Sequence, residues 1–300
     1  MFNGLSAFPL TPMNEEGIKE KEYVNLIQRL VDAGVDSIGA LGSTGNYAYL
    51  NREERFRTLK LAVESANGIP VIGSISAIRT LDVLRLAEDA QKAGVSAVLL
   101  APVSYQVLSH DEVYSLYEKV THSLSVPLCV YDNPSTTHVH FSDELHGRIA
   151  ELPHVHSIKI PGVPSEPEAA KARIDTLRAL IPSHVTIGVS GDPSAITGLN
   201  AGCEVWYSVL GGLFPKTCLR MTRLALDGYA EESHQISAGL EPLWSLFRQY
   251  GSLRVVATVA EISGLISSPS LPLPLQPLNQ AIRDDLKSIL KVISSIEESS

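Results

Sequence analysis

Short runs of β-branched and other apolar residues return along this chain at intervals close to one strand–helix unit. No other feature constrains the fold as much. Strands are expected near Leu5–Phe8, Ser37–Leu41, Val71–Ser74, Ala97–Ala101, Leu128–Tyr131, Ser157–Ile160, Val185–Gly188 and Val205–Ser208. Runs such as AVLLA and PLCVY are almost continuously apolar, which suits parallel strands covered on both faces. The segments between them have helical periodicity. Tyr23, Leu26, Ile27, Leu30 and Val31 form a three-and-four stripe, Ser109-x-x-Glu112 is a capping box, and Ser142 is a candidate N-cap. The phrases Asp32-Ala33-Gly34-Val35, Lys92-Ala93-Gly94-Val95 and Asn200-Ala201-Gly202-Cys203 each precede a strand, with a glycine suited to ending a helix. Eight such units close most simply into an α/β fold, the (β/α)8 TIM barrel, with a doubly wound open sheet as the rival. After about Pro215 the strand signals stop. Residues 1–224 are therefore expected to form the barrel, and 225–300 a C-terminal helical subdomain with a role in assembly, broken by the proline-rich stretch Ser267–Pro277.

Composition narrows the class further. The 300 residues are 44% hydrophobic and 19% charged, enough apolar content for a large core. A formal charge of −9 without any Lys/Arg cluster makes nucleic acid and anionic membranes unexpected partners. The first twenty residues lack a basic start followed by an apolar run, so no secretory signal is expected. No stretch is long and apolar enough to span a membrane. Cys129, Cys203 and Cys218 are widely spaced and odd in number, which reads as buried thiols in a reducing compartment, the cytoplasm by default.

In a barrel of this kind chemistry gathers at the C-terminal ends of the strands. Three ends stand out. Lys159, in Ser157-Ile158-Lys159-Ile160-Pro161-Gly162, is the only one of ten lysines inside an expected strand. A strand-end lysine reaching solvent is the plain reading. The functional one is that desolvation disfavours an ammonium and so exposes an amine able to attack a carbonyl and form a Schiff base. Tyr131 ends the preceding strand, and neighbouring parallel strands lie about 5 Å apart, so its phenol could shuttle protons to that amine. A tyrosine capping the core is the ordinary alternative. Leu41-Gly42-Ser43-Thr44-Gly45-Asn46 is a small hydroxyl-rich turn whose N–H groups and hydroxyls suit a carboxylate, although a simple tight turn explains it as well. His138-Val139-His140 and His154-Val155-His156 have H-x-H spacing. The second pair precedes its strand, the first lies well beyond Tyr131, and no acidic ligand completes a site, so no metal is expected.

Taken in order, Phe8-Pro9-Leu10-Thr11-Pro12, Gly42-Ser43-Thr44-Gly45, Leu50-Asn51-Arg52-Glu53-Glu54-Arg55, Tyr131-Asp132-Asn133-Pro134, Ile158-Lys159 and Ser190-Gly191-Asp192 resemble the dihydrodipicolinate synthase / N-acetylneuraminate lyase family over nearly the whole chain. The resemblance implies a homotetrameric class I pyruvate-dependent aldolase without metal or organic cofactor, acting on a 2-oxo acid such as pyruvate and an aldehyde. By motif, Lys159 forms the imine and Tyr131 relays protons. Ser43 and Thr44 bind the pyruvate carboxylate, Thr44 links Tyr131 to a second tyrosine, for which Tyr105 is the candidate, and Tyr207 offers a backbone carbonyl.

Two departures bear on the second substrate. The lysine-biosynthesis members carry Y-x-x-P-x-R-T, whose arginine grips the aldehyde's carboxylate; here the segment reads Tyr131-x-x-Pro134-x-Thr136-Thr137. Threonine cannot replace a charge-assisted, bidentate clamp. Asn46 stands where glutamate is usual. The expected activity is therefore a Schiff-base lyase that condenses pyruvate with an aldehyde, or cleaves or dehydrates a 2-oxo acid. The alternatives are 4-hydroxy-tetrahydrodipicolinate synthase itself, a non-catalytic 2-oxo acid sensor, and a metal-dependent hydrolase.

Overall fold

The computed structural model describes residues 1–298. Eight parallel strands form a closed barrel: β1 (Gly4–Ala7), β2 (Ser37–Ala40), β3 (Val71–Ser74), β4 (Ala97–Leu100), β5 (Leu128–Tyr131), β6 (Val155–Ile160), β7 (Thr186–Ser190) and β8 (Val205–Ser208). Around the barrel the order is β1-β8-β7-β6-β5-β4-β3-β2, and the ring closes where Ser6 lies opposite Ser37. This is the expected barrel, and the open sheet is excluded. Beyond shifts of a single residue, two strands differ from the sequence expectation. β6 begins at Val155, which puts His156 inside the strand, and β7 is shifted towards its C-terminal end. A hairpin pairing Met13–Asn14 with Gly17–Ile18 escaped the sequence reading, because two-residue strands are too short to show a period.

Helices α1 (Glu20–Ala33), α2 (Arg52–Ser65), α3 (Thr80–Ala93), α4 (His110–Thr121), α5 (Asp143–Ala150), α6 (Pro167–Arg178), α7 (Ala195–Asn200) and α8 (Pro215–Leu226) follow the eight strands in turn. Local chemistry sets their ends. Asn51 and Ser109 make capping boxes with Glu54 and Glu112, and Ser142 accepts from Leu145 N. Gly34 and Gly94 end α1 and α3 in the left-handed region, at φ 75° and 88°.

Four further helices follow: α9 (Ala230–Gly239), α10 (Glu241–Tyr250), α11 (Ser252–Ile262) and α12 (Gln280–Glu298). The expected boundary between residues 224 and 225 falls inside α8, because the apolar face of that helix continues to Ala225, which is buried. Leu240, Trp244, Val256 and Ile293 belong to the same apolar cluster as Leu30, Leu199 and Met221 of the barrel. The proline-rich segment ties this end to the N-terminal hairpin. Lys19 Nζ donates to the carbonyls of Ser267 (2.8 Å) and Pro269 (2.7 Å), and Met13 N donates to Ser270 O at 3.2 Å. No helix among the described residues is long and apolar enough to cross a membrane.

A second apolar cluster fills the barrel itself, built from Phe8, Ile72, Ala97, Leu99, Cys129, Tyr131, Val205 and Tyr207. The interior admits these large rings because strand positions facing them carry no side chain. A Cβ on Gly188 would lie 2.2 Å from the Tyr207 ring, and one on Gly39 would lie 2.3 Å from the Phe8 ring. In urea unfolding, Gly188→Ala should therefore cost about 1–3 kcal/mol through overpacking. Gly239→Ala, at the last residue of α9 where a Cβ would meet nothing within 4 Å, should instead be neutral or stabilise by up to about 1 kcal/mol. Equal midpoints for Gly188→Ala and the unaltered protein would refute this packing argument.

Candidate active site

Lys159 lies at the C-terminal end of β6, in register with Tyr131 of β5 and Gly188 of β7. Its side chain points into the barrel and is 4% exposed. Nζ sits 3.9 Å from the centre of the Tyr131 ring, 4.2 Å from that of Phe8 and 5.5 Å from that of Tyr207. No carboxylate pairs with it among the described residues. The surroundings are three π faces, which stabilise a positive charge at Nζ without donating or withdrawing a proton. Phe8, which follows β1, can reach this position because Gly39 and Gly42 leave room for its ring.

The Tyr131 hydroxyl is held from two sides. Asn133 Nδ2 donates to it at 2.9 Å, and Ser43 Oγ lies 3.4 Å away. The Asn133 amide is itself oriented by Ser135 Oγ, which donates to its Oδ1 at 2.8 Å. With an amide N–H on its oxygen, the phenol is left with its own proton to hand on, towards Ser43 or a bound reactant. Asn133 precedes a one-turn helix, Pro134–Thr137, whose N–H groups return to the Asn133 carbonyl. Its role was not foreseen from sequence; the only signal was its position two residues after Tyr131 and just before a proline. The hydroxyl that meets Tyr131 is that of Ser43, whereas the sequence reading gave this link to Thr44. Thr44 is buried and lines the same cavity.

The turn carrying Ser43 is shaped by its backbone. Leu41 and Asn46 both take φ 58°, and a Cβ on Gly45 would lie 2.9 Å from Leu41 N. Asn46 then folds inward, where its Nδ2 donates to Thr11 O at 3.0 Å. This bond joins the hydroxyl turn to the Phe8–Pro12 segment.

Tyr105 does not enter this group. It is 90% exposed and lies outside the cavity, because Ser104 Oγ bonds to Gln106 and turns the intervening residue outward. Tyr207 does line the cavity, but its side chain belongs to the barrel floor. Its hydroxyl meets Ser157 Oγ at 2.6 Å and receives the Cys129 thiol at 3.3 Å. Burial pushes the Cys129 thiol up to about 11, so it offers no competing thiolate near neutral pH.

The cavity above Lys159 measures about 740 Å³. One wall comes from the barrel loops, including Thr136, Ser190 and Asp192. The other comes from the junction of α10 and α11, through Phe247, Arg248, Gly251, Ser252 and Leu253. The C-terminal helices thus line the site, a role not expected for a segment assigned to assembly. Asp192 is fully engaged: Trp206 Nε1 (2.9 Å), Val209 N (3.2 Å) and Leu210 N (2.7 Å) all donate to its carboxylate. Burial nevertheless holds that carboxyl above the usual range.

The H-x-H pairs lie elsewhere. His154 and His156 are at the opposite, N-terminal end of β6, where His156 packs edge-on against His184 with ring centres 5.6 Å apart. The His140 carbonyl meets His110 Nε2 at 3.2 Å. Among the described residues no three His, Cys, Asp or Glu side chains cluster as a metal site would require.

Against known proteins, residues 1–293 match the model of the dihydrodipicolinate synthetase family. The chain is 30% identical to a 4-hydroxy-tetrahydrodipicolinate synthase of Persephonella marina, over 97% of this chain and 98% of that one. Among solved structures, a dihydrodipicolinate synthase of Agrobacterium tumefaciens superposes with a TM-score of 0.94 at 41% identity, covering 97% of this chain and 98% of that one. A chloride-inhibited dihydrodipicolinate synthase of Acinetobacter baumannii, solved with pyruvate, superposes with a TM-score of 0.88 at 26% identity, covering 98% and 99%. The ordered motifs, the barrel and these similarities over the full length agree, and the chain belongs to the dihydrodipicolinate synthetase family.

Proposed function

We propose that the protein is a class I lyase in which Lys159 forms an imine with pyruvate and the resulting enamine joins, or is released from, an aldehyde. The observation that carries this reading is the Lys159 amine held 3.9 Å from the Tyr131 ring, under a phenol whose oxygen already receives an amide N–H.

The neutral amine attacks C2 of pyruvate, and the carbinolamine loses its hydroxyl as water once Tyr131 supplies a proton. The iminium that remains keeps a positive charge where Phe8, Tyr131 and Tyr207 present their ring faces, so the electron sink is stabilised as it forms. The Tyr131 phenolate left by that step takes a C3 proton, which gives the enamine. Its β-carbon bonds to the aldehyde carbon, the aldehyde oxygen takes the proton back from Tyr131, and water then hydrolyses the imine. Cleavage runs the same steps backwards, and elimination of a β-hydroxyl from a longer 2-oxo acid uses the same iminium. Ser43 and Thr44, in the turn after β2, are the groups we assign to the pyruvate carboxylate, and the backbone at Tyr207 to its other side.

Condensation with aspartate semialdehyde is the second reading, favoured by the name of the Persephonella relative. Thr136 gives that aldehyde's carboxylate only a hydroxyl in the segment after β5, where the resemblance places the lysine-biosynthesis members' arginine. No resident cofactor enters the scheme, since the reacting carbon is carried on Lys159. A cytoplasmic homotetramer completes the proposal, as the family resemblance implies. Tyr105 and Val107, 90% and 93% exposed, give the loop after β4 an apolar surface that another copy would bury. Tyr105 would act only across such an interface, being turned away from its own cavity.

Incubation with pyruvate and borohydride should add one pyruvate-derived mass to the peptide containing Lys159, and Lys159→Arg should abolish it. Absence of the adduct in the unaltered protein would favour a sensor or hydrolase instead. Tyr131→Phe should lower kcat by about 10²- to 10⁴-fold while changing pyruvate affinity far less. Parallel losses in both quantities would argue against a proton-relay role.

A further inference from the structure

The cavity extends well beyond what pyruvate fills, and its outer half has a definite chemistry. Among its lining residues are two basic side chains, Lys159 at the base and Arg248 of α10. Its one carboxylate, that of Asp192, is occupied by three N–H donors. The remaining polar lining consists of hydroxyls and amides, including Asn46, Tyr49, Ser135, Thr136, Ser190 and Ser252.

Arg248 has the means to bind an anion there. It stands one turn from the α10–α11 junction that forms the outer wall, on a helix rather than a loop. Its only partner among the described residues is Glu241, reached through Nη2 alone, which leaves its other N–H donors free. That pair is open to solvent, with side chains 54% and 59% exposed, so it holds the guanidinium only weakly. A ligand carboxylate entering the cavity could take two parallel N–H bonds from the free edge.

We infer that Arg248 is the anion-binding residue of the outer cavity, and that the second substrate is a hydroxylated aldehyde carrying a carboxylate at its far end. The corresponding cleavage or dehydration substrate is a polyhydroxylated 2-oxo acid with a second carboxylate. Lys159 holds the keto end, the hydroxyl-rich wall receives the middle, and Arg248 receives the terminal anion. This rests on the Schiff-base reading and specifies its second half.

The test pairs each acid with a neutral counterpart in pyruvate-dependent condensation: 2-hydroxy-3-oxopropanoate against glyceraldehyde, and 2,3-dihydroxy-4-oxobutanoate against erythrose. The unaltered enzyme should favour at least one acid in kcat/KM. Arg248→Gln should cut kcat/KM for that acid by about 10- to 100-fold, the worth of a charge-assisted contact. It should act mainly through KM and reduce turnover of the neutral aldehydes far less. Arg248→Lys should recover part of the loss. Borohydride trapping of pyruvate on Lys159 should persist in both variants, which also shows that they fold. An unaltered enzyme that prefers the neutral aldehydes or is inactive on both acids overturns the assignment, as does an Arg248→Gln variant that slows acid and neutral partners alike. Failure to trap pyruvate in the unaltered enzyme would instead overturn the Schiff-base reading.

Discussion

The enclosure of one amine by three aromatic rings is the constraint on which the rest of the site depends. The Lys159 amine lies in a nearly dry barrel mouth, among three aromatic rings and without a carboxylate paired to it among the described residues. Ring faces can tolerate a positive charge there, whether an ammonium or the iminium proposed above. A carboxylate in the same place would hold the ammonium in a tight pair and withhold the amine from attack. The arrangement in turn depends on absent atoms. Gly39 and Gly42 admit Phe8, and Gly188 admits Tyr207. Catalytic geometry and barrel packing are therefore the same problem, solved by alternating rings with glycines around the interior.

The two halves of the cavity have different origins. The pyruvate half comes from the barrel: β6 supplies the lysine, β5 the phenol, and the turn after β2 the hydroxyl beside it. The half for the second reactant is shared between barrel loops and the α10–α11 junction. Strand ends of a closed barrel have little freedom to move, because every neighbour is hydrogen-bonded on both sides. Loops and appended helices can exchange side chains without disturbing the iminium chemistry. Thr136 on the barrel side and Arg248 on the helical side of the cavity fit that division of labour.

Much of this was legible from the chain itself. All eight strands, the glycines that end α1 and α3, the Ser109 capping box, and the places of Lys159 and Tyr131 at the ends of successive strands follow from local periods and spacings. These are properties of neighbouring residues in the chain, and the period of two or 3.6 carries them directly. Lys159 was singled out because it interrupts an apolar run, and an interruption is visible without coordinates.

What the tertiary structure decided were the contacts between residues far apart in sequence. Ser43 rather than Thr44 faces Tyr131 because Leu41 and Asn46 take left-handed conformations that rotate the turn. Tyr105 points away from the cavity because a serine-centred turn redirects it. Arg248 reaches a site nearly ninety residues earlier in the chain because α10 packs over the barrel mouth. No local pattern encodes any of these. Sequence periodicity specifies which face of an element is apolar, whereas the direction of a side chain in a loop, and the partner it meets, depend on backbone angles and packing that arise only when the whole chain has closed.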